Sequence, residues 1–70
     1  MTRYEVGQII RKTREERHMS KQALAEACGY EGKMAYRVVY GWECGERDIP
    51  CTRLRKLAEA LQIPVERLIP

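Results

Sequence analysis

The sequence predicts an all-α fold, a compact five-helix bundle. Apolar residues recur at helical spacing in several separate stretches, and no stretch alternates with the period of a strand. Ser, Gly and Pro punctuate the chain at intervals suited to short helices. Internal repeats and low-complexity segments are absent, and residues 1–70 read as one domain. A chain this short buries only roughly 60% of its unfolded surface, which leaves little room for a deep catalytic cavity.

Each element has its own signal. Thr2-Arg3-Tyr4-Glu5 fits the capping box, in which the Thr and Glu side chains each satisfy an orphan amide. Val6, Ile9, Ile10 and Thr13 then continue at helical spacing, so a first helix is expected over about residues 3–17. Ser20 is a good N-cap for a short second helix through Ala23, Leu24 and Ala27, and Gly29 ends it near Cys28. The stretch KMAYRVVYGWECGERDIP supplies a third helix over roughly 34–43, stopped by Gly45. After Pro50, Leu54, Leu57, Ala58 and Leu61 form the stripe of a core-facing fourth helix. Pro64 can open a last short turn of helix over Val65-Glu66-Arg67-Leu68-Ile69.

Composition narrows the function classes. The formal net charge is +3, and all of it lies in residues 1–40, where eight Lys/Arg face five Asp/Glu; residues 41–70 carry five of each. A basic bias of this size suits a polyanionic partner without requiring one. No apolar run is long enough to span a membrane, and the charged N-terminus does not read as a secretory signal. A cytoplasmic protein with reduced thiols is therefore expected. Cys28, Cys44 and Cys51 have no paired spacing and His18 is the single histidine, so neither a metal nor a cofactor is expected. With no paired carboxylates in an evident cleft and no phosphate-binding Gly-rich loop, the chain is not expected to be an enzyme or to take a small-molecule substrate. Cys28, near the C-terminal end of the second helix, is placed where the helix dipole raises a thiol pKa, which makes it a poor nucleophile.

The third helix carries the functional signal. Ala35, Val38, Val39 and Trp42 share one arc of roughly 100°, the side expected to be buried. Lys33, Tyr36, Arg37, Tyr40 and Gly41 share the opposite arc. Two aromatics and a guanidinium here either pack sideways on neighbouring helices or face a partner. Gly41 inside a helix costs about 0.5–1 kcal/mol relative to alanine, and a close backbone approach is one reason to tolerate it.

In order along the chain stand Ile10-Arg11-x-x-Arg14, Met19-Ser20-Lys21-Gln22-x-Leu24-Ala25, Val39-x-x-Trp42-Glu43-x-Gly45-x-Arg47-x-Ile49-Pro50, Leu54-x-x-Leu57-Ala58-x-x-Leu61-x-Ile63 and Val65-x-x-Leu68. With these segments the chain resembles the lambda-repressor-like, XRE-type (Cro/cI-type) helix-turn-helix DNA-binding family. The resemblance implies that helices two and three form the helix-turn-helix and that helix three enters the major groove of double-stranded DNA. Base contacts would then come from Tyr36, Arg37 and Tyr40, with Gly41 letting the helix backbone approach the groove wall. Phosphate contacts would come from Ser20, Lys21, Gln22, Lys33, Arg47, Thr52 and Arg53. Arg14 and Glu43 occupy the positions of an internal ion pair in the family.

The implied function is a sequence-specific transcriptional regulator, a repressor acting as a homodimer on a palindromic operator, which would associate it with the nucleoid when DNA-bound. Val65, Leu68 and Ile69 are the expected dimer surface, or else they cap the core of a monomer. The alternative is a protein-interaction module that keeps the fold without binding DNA. The chain departs from the family pattern in two places. The turn between Gly29 and Trp42 is about four residues longer, with Tyr30-Glu31-Gly32-Lys33 as the expected insertion and Gly32 as its bend. The loop after helix three holds Glu46 and Asp48 beside Arg47, so fewer phosphate contacts and a shallower salt dependence are expected, at ~0.9 per phosphate neutralised.

Overall fold

Capping and turn chemistry set the helix boundaries. In a computed structural model, which describes residues 2–69, the chain runs α1 (Arg3–Glu16), α2 (Lys21–Ala27), α3 (Tyr36–Cys44) and α4 (Cys51–Leu61). A 3-10 turn, Val65–Leu68, follows. The fifth helix is thus a 3-10 turn and the bundle has four α-helices among the described residues, correcting the expected five. Val65–Leu68 is only four residues long and closes i→i+3, with the Arg67 N–H donating to the Pro64 carbonyl at 3.1 Å.

The capping box of α1 forms. The Thr2 N–H donates to the Glu5 carboxylate at 3.0 Å, and Thr2 Oγ1 accepts from the Glu5 N–H at 3.2 Å. The bond from the Thr2 amide, followed by that from its side chain, holds the Glu5 carboxyl below its ordinary range. Ser20 Oγ accepts from the Ala23 N–H at 3.0 Å and opens α2. The third helix begins at Tyr36, two residues later than expected. Ahead of it the chain turns tightly, with the Ala35 N–H on the Gly32 carbonyl at 3.2 Å and the Arg37 N–H on the Met34 carbonyl at 3.1 Å. Gly45 ends α3 in the left-handed region, φ 74°, where a side chain would be strained.

The core is built from Ile10 of α1, Leu24 and Ala25 of α2, Val39 and Trp42 of α3, and Leu57 and Leu61 of α4. As the periodicity of α3 predicts, Ala35, Val39 and Trp42 are buried and Val38 is half-buried against the cluster. Gly7 permits the closest helix contact. A Cβ there would overlap the carbonyl oxygens of Trp42 and Glu43, so α1 lies against the backbone of α3 with nothing between them.

Arg14 joins three elements from a buried position. Its Nε donates to Glu43 Oε2 at 2.7 Å, its Nη2 reaches Glu43 Oε1 at 3.4 Å, and its Nη1 donates to the Met19 carbonyl at 2.8 Å. A carboxylate met in this fork geometry is both neutralised and oriented. Arg17 acts in the same way at the surface, donating from Nε to the Leu61 carbonyl at 3.1 Å. A cation there satisfies an orphan carbonyl at the end of α4 and suits the negative end of its dipole.

Arg14→Ala strands the Glu43 carboxylate in the core and is expected to lower unfolding free energy by about 3–5 kcal/mol. Arg11→Ala, which removes only an exposed pair with Glu15 at 3.7 Å, is expected to cost at most about 1 kcal/mol. Urea unfolding of the two variants checks the contrast. Gly7→Ala should destabilise by about 1–3 kcal/mol in the same assay, because overpacking at a rigid backbone contact outweighs the better helix propensity of alanine.

Glu5 gives the fold a pH dependence of known sign. Its folded pKa is lowered, so its contribution is present above the ordinary carboxylate pKa and is lost as pH falls through the lowered value. The melting temperatures of wild type and Glu5→Ala should therefore differ at neutral pH and converge in acid.

Candidate nucleic-acid interface

The face of α3 turned away from the core is rich in partner-seeking side chains. Tyr36 is 38% exposed and Tyr40 52%, with Arg37 exposed between them. Tyr36, Tyr40 and Cys44 stand one turn apart along one ridge. Met34, 48% exposed, and Lys33 precede them in the tight turn. Among the described residues no carboxylate pairs with Arg37. Side-chain hydrogen bonding with Cys44, then the charges of Cys44 and Glu46, push the Tyr40 hydroxyl above its ordinary range.

The two borders of this face differ. On one side α1, α2 and α3 form a shallow groove whose lining includes Tyr4, Gln8, Arg11, Lys21 and Tyr40. Lys21 is half-buried there and Ser20 stands beside it as the exposed N-cap of α2. Arg11 was not among the expected contacts. Tyr4, Gln8, Arg11 and Glu15 do recur at helical spacing, and this polar stripe was the signal that α1 borders the same face.

On the other side the stem of Arg47 lies over Gly41, one turn after Arg37. A Cβ on Gly41 would meet the Cγ and Cδ of Arg47, and the Gly41 carbonyl accepts the Glu46 N–H at 2.9 Å. The close approach that Gly41 allows is therefore made by Arg47 of the following loop, which corrects the expectation of a bare helix backbone at the groove wall.

Two expected phosphate contacts are engaged inside the protein. Gln22 Oε1 accepts from the Tyr36 N–H at 3.0 Å, and its Nε2 donates to the Gly32 carbonyl at 2.9 Å and to Glu26 Oε2 at 3.1 Å. Both amide hydrogens are taken, so this side chain has no donor left for a phosphate. Arg53 Nη1 donates to the Cys28 carbonyl at 3.1 Å, and its guanidinium lies 4.7 Å from the Tyr30 ring centre. Thr52 and Lys33 are exposed.

The expected insertion is only partly an outward loop. Tyr30 packs its ring against Trp42 edge to face, centroids 5.9 Å apart, so it belongs to the core margin. Gly32 does take a left-handed backbone, φ 101°, at the bend. Cys28 is buried, and burial rather than the helix dipole is the main cause that pushes its thiol up to about 11, against the pull of Arg53 and Lys56.

The three residues expected at a dimer surface separate. Leu68 is 3% exposed and belongs to the core, Val65 is half-buried against it, and Ile69 is 49% exposed. Leu68 is thus a core residue, because the 3-10 turn folds it under α1 and α4. Ile69 lies at the rim of an apolar groove of about 460 Å³ whose lining includes Val6, Trp42, Ile49 and Leu54.

Comparison with curated proteins and with solved structures gives no significant match. A match to the helix-turn-helix family covers residues 10–68, from the middle of α1 to the 3-10 turn. The paired α2 and α3, the order of the helices and the extent of that match agree: the chain belongs to the XRE/lambda-repressor-like helix-turn-helix family of DNA-binding domains.

Proposed function

We propose that the protein is a sequence-specific regulator of transcription that binds double-stranded DNA with α3 in the major groove. The observation that carries this reading is the exposed ridge of Tyr36, Arg37 and Tyr40 on the second helix of the motif, bordered by Lys21 and Arg11 on one side and Arg47 on the other. Arg37, with no carboxylate paired to it among the described residues, can offer a bidentate donor pair to guanine O6 and N7. The two tyrosines can donate to phosphate or lie against thymine methyl groups. Ser20, Lys21, Arg11, Lys33, Arg47, Thr52 and Arg53 are the phosphate contacts of this reading, Arg53 through the donors it keeps beyond the Cys28 carbonyl, and Gln22 leaves the set.

One short helix reads few base pairs, so a homodimer on a palindromic operator completes the proposal. Its contact surface centres on Ile69 and the apolar groove beside it, with Val65 at the edge. A domain seated over a promoter excludes other proteins from it, and repression is the regulatory sign we propose.

Selection from a randomised duplex library is expected to recover a pseudo-palindrome. Arg37→Ala, selected in parallel, should relax the preference at one guanine per half-site, a loss of about 1–3 kcal/mol of discrimination. Failure to enrich any sequence even at low salt would sink the DNA reading and turn attention to a protein partner for the same face.

A further inference from the structure

The geometry points to Gln22 as the residue that fixes where α3 presents Tyr36 and Arg37, a positioning residue for the DNA reading proposed above, on which this inference rests. The connector between Ala27 and Tyr36 is longer than a tight helix-turn-helix turn, and a longer connector leaves the start of the second helix less determined by chain geometry. Nor does α3 cap itself. Its N-cap residue, Ala35, lies in the helical region and has no side chain able to accept from the first amides.

Gln22, in the first turn of α2, makes good both deficits with one amide group. Its oxygen takes the Tyr36 N–H, the first of α3, and its nitrogen holds the Gly32 carbonyl at the bend of the connector. The orientation of that amide is not free. Gly32 offers only a carbonyl, Tyr36 only an N–H, and the Glu26 carboxylate, one turn along α2, takes the second hydrogen of the nitrogen. A reversed amide would lose all three bonds. Tyr36 and Arg37 are the first two residues beyond this clamp, so its loss is felt first where the helix would meet bases. The residues nearer Trp42 remain held by the core.

Gln22→Met, of similar length and without hydrogen bonds, separates positioning from general stability. In the free protein, amide exchange at Tyr36 should quicken roughly three- to tenfold, the factor expected for one modest hydrogen bond, while Val39 and Trp42 exchange as in wild type. Against the selected duplex, Gln22→Met should flatten the base preference under the first turn of α3 and weaken affinity about tenfold, as the competent placement becomes a minority state. Lys21→Met should lower affinity while leaving the preference intact, as a phosphate contact does.

Unchanged exchange at Tyr36 overturns the clamp. A wild-type base profile in Gln22→Met, with only the melting temperature lowered, overturns the positioning role and leaves Gln22 a stabilising residue. If the wild type itself enriches no sequence, the DNA reading fails and the positioning role with it, and exchange at Tyr36 still reports separately whether the clamp exists.

Discussion

The arrangement of this small bundle depends on one desolvated charge pair. Arg14 reaches from α1 to the Glu43 carboxylate near the end of α3 with two nitrogens, and its third nitrogen holds the Met19 carbonyl just before α2. Charges away from water are tolerable only when their hydrogen-bonding capacity is met, so the three elements cannot shift independently without stranding one of them. The glycine contact of Gly7 on the α3 backbone brings α1 close enough for that pair to close. The polar link and the close packing thus specify the same placement. The outward face of α3 is aimed by what happens on its inward side.

Much of this was legible in the residue order because the relevant signals are local. Thr2 and Glu5, Ser20, Gly45 and Pro50 mark helix ends by chemistry that acts within a few residues. The stripe of Val39 and Trp42 and the opposing ridge of Tyr36, Arg37 and Tyr40 follow from helical period alone. What was hidden depends on contacts between residues far apart in the chain. Gln22 and Arg53 read as free polar side chains until the connector and the end of α2 are brought beside them. Leu68 read equally as dimer surface or core cap, because nothing local reports that the 3-10 turn folds back under α1. Gly41 read as a site for an outside partner, and its partner is Arg47, six residues on. The start of α3 was placed early because its cap comes from another helix.

The interface follows the same logic. Side chains left over after internal demands are met are the ones able to act on a partner, and that residue-by-residue subtraction leaves a face of two phenols and one guanidinium with cations at its borders. Glu46 and Asp48 add negative charge near one border, and Asp48 is already partnered by Arg3 at 3.5 Å, an exposed pair of little energetic weight. On the proposed reading, such a surface favours a few directed contacts over a broad electrostatic grip.

The placement of the three thiols has a practical consequence. Cys44 and Cys51 are exposed on either side of the loop after α3, while Cys28 is buried at the end of α2 with its thiol held protonated by burial. An alkylating reagent meets two sulfurs in the native molecule, and the third only when the core around it opens. The rate of that third addition is a clock for opening of the bundle, already written into the chain, and it needs no introduced probe.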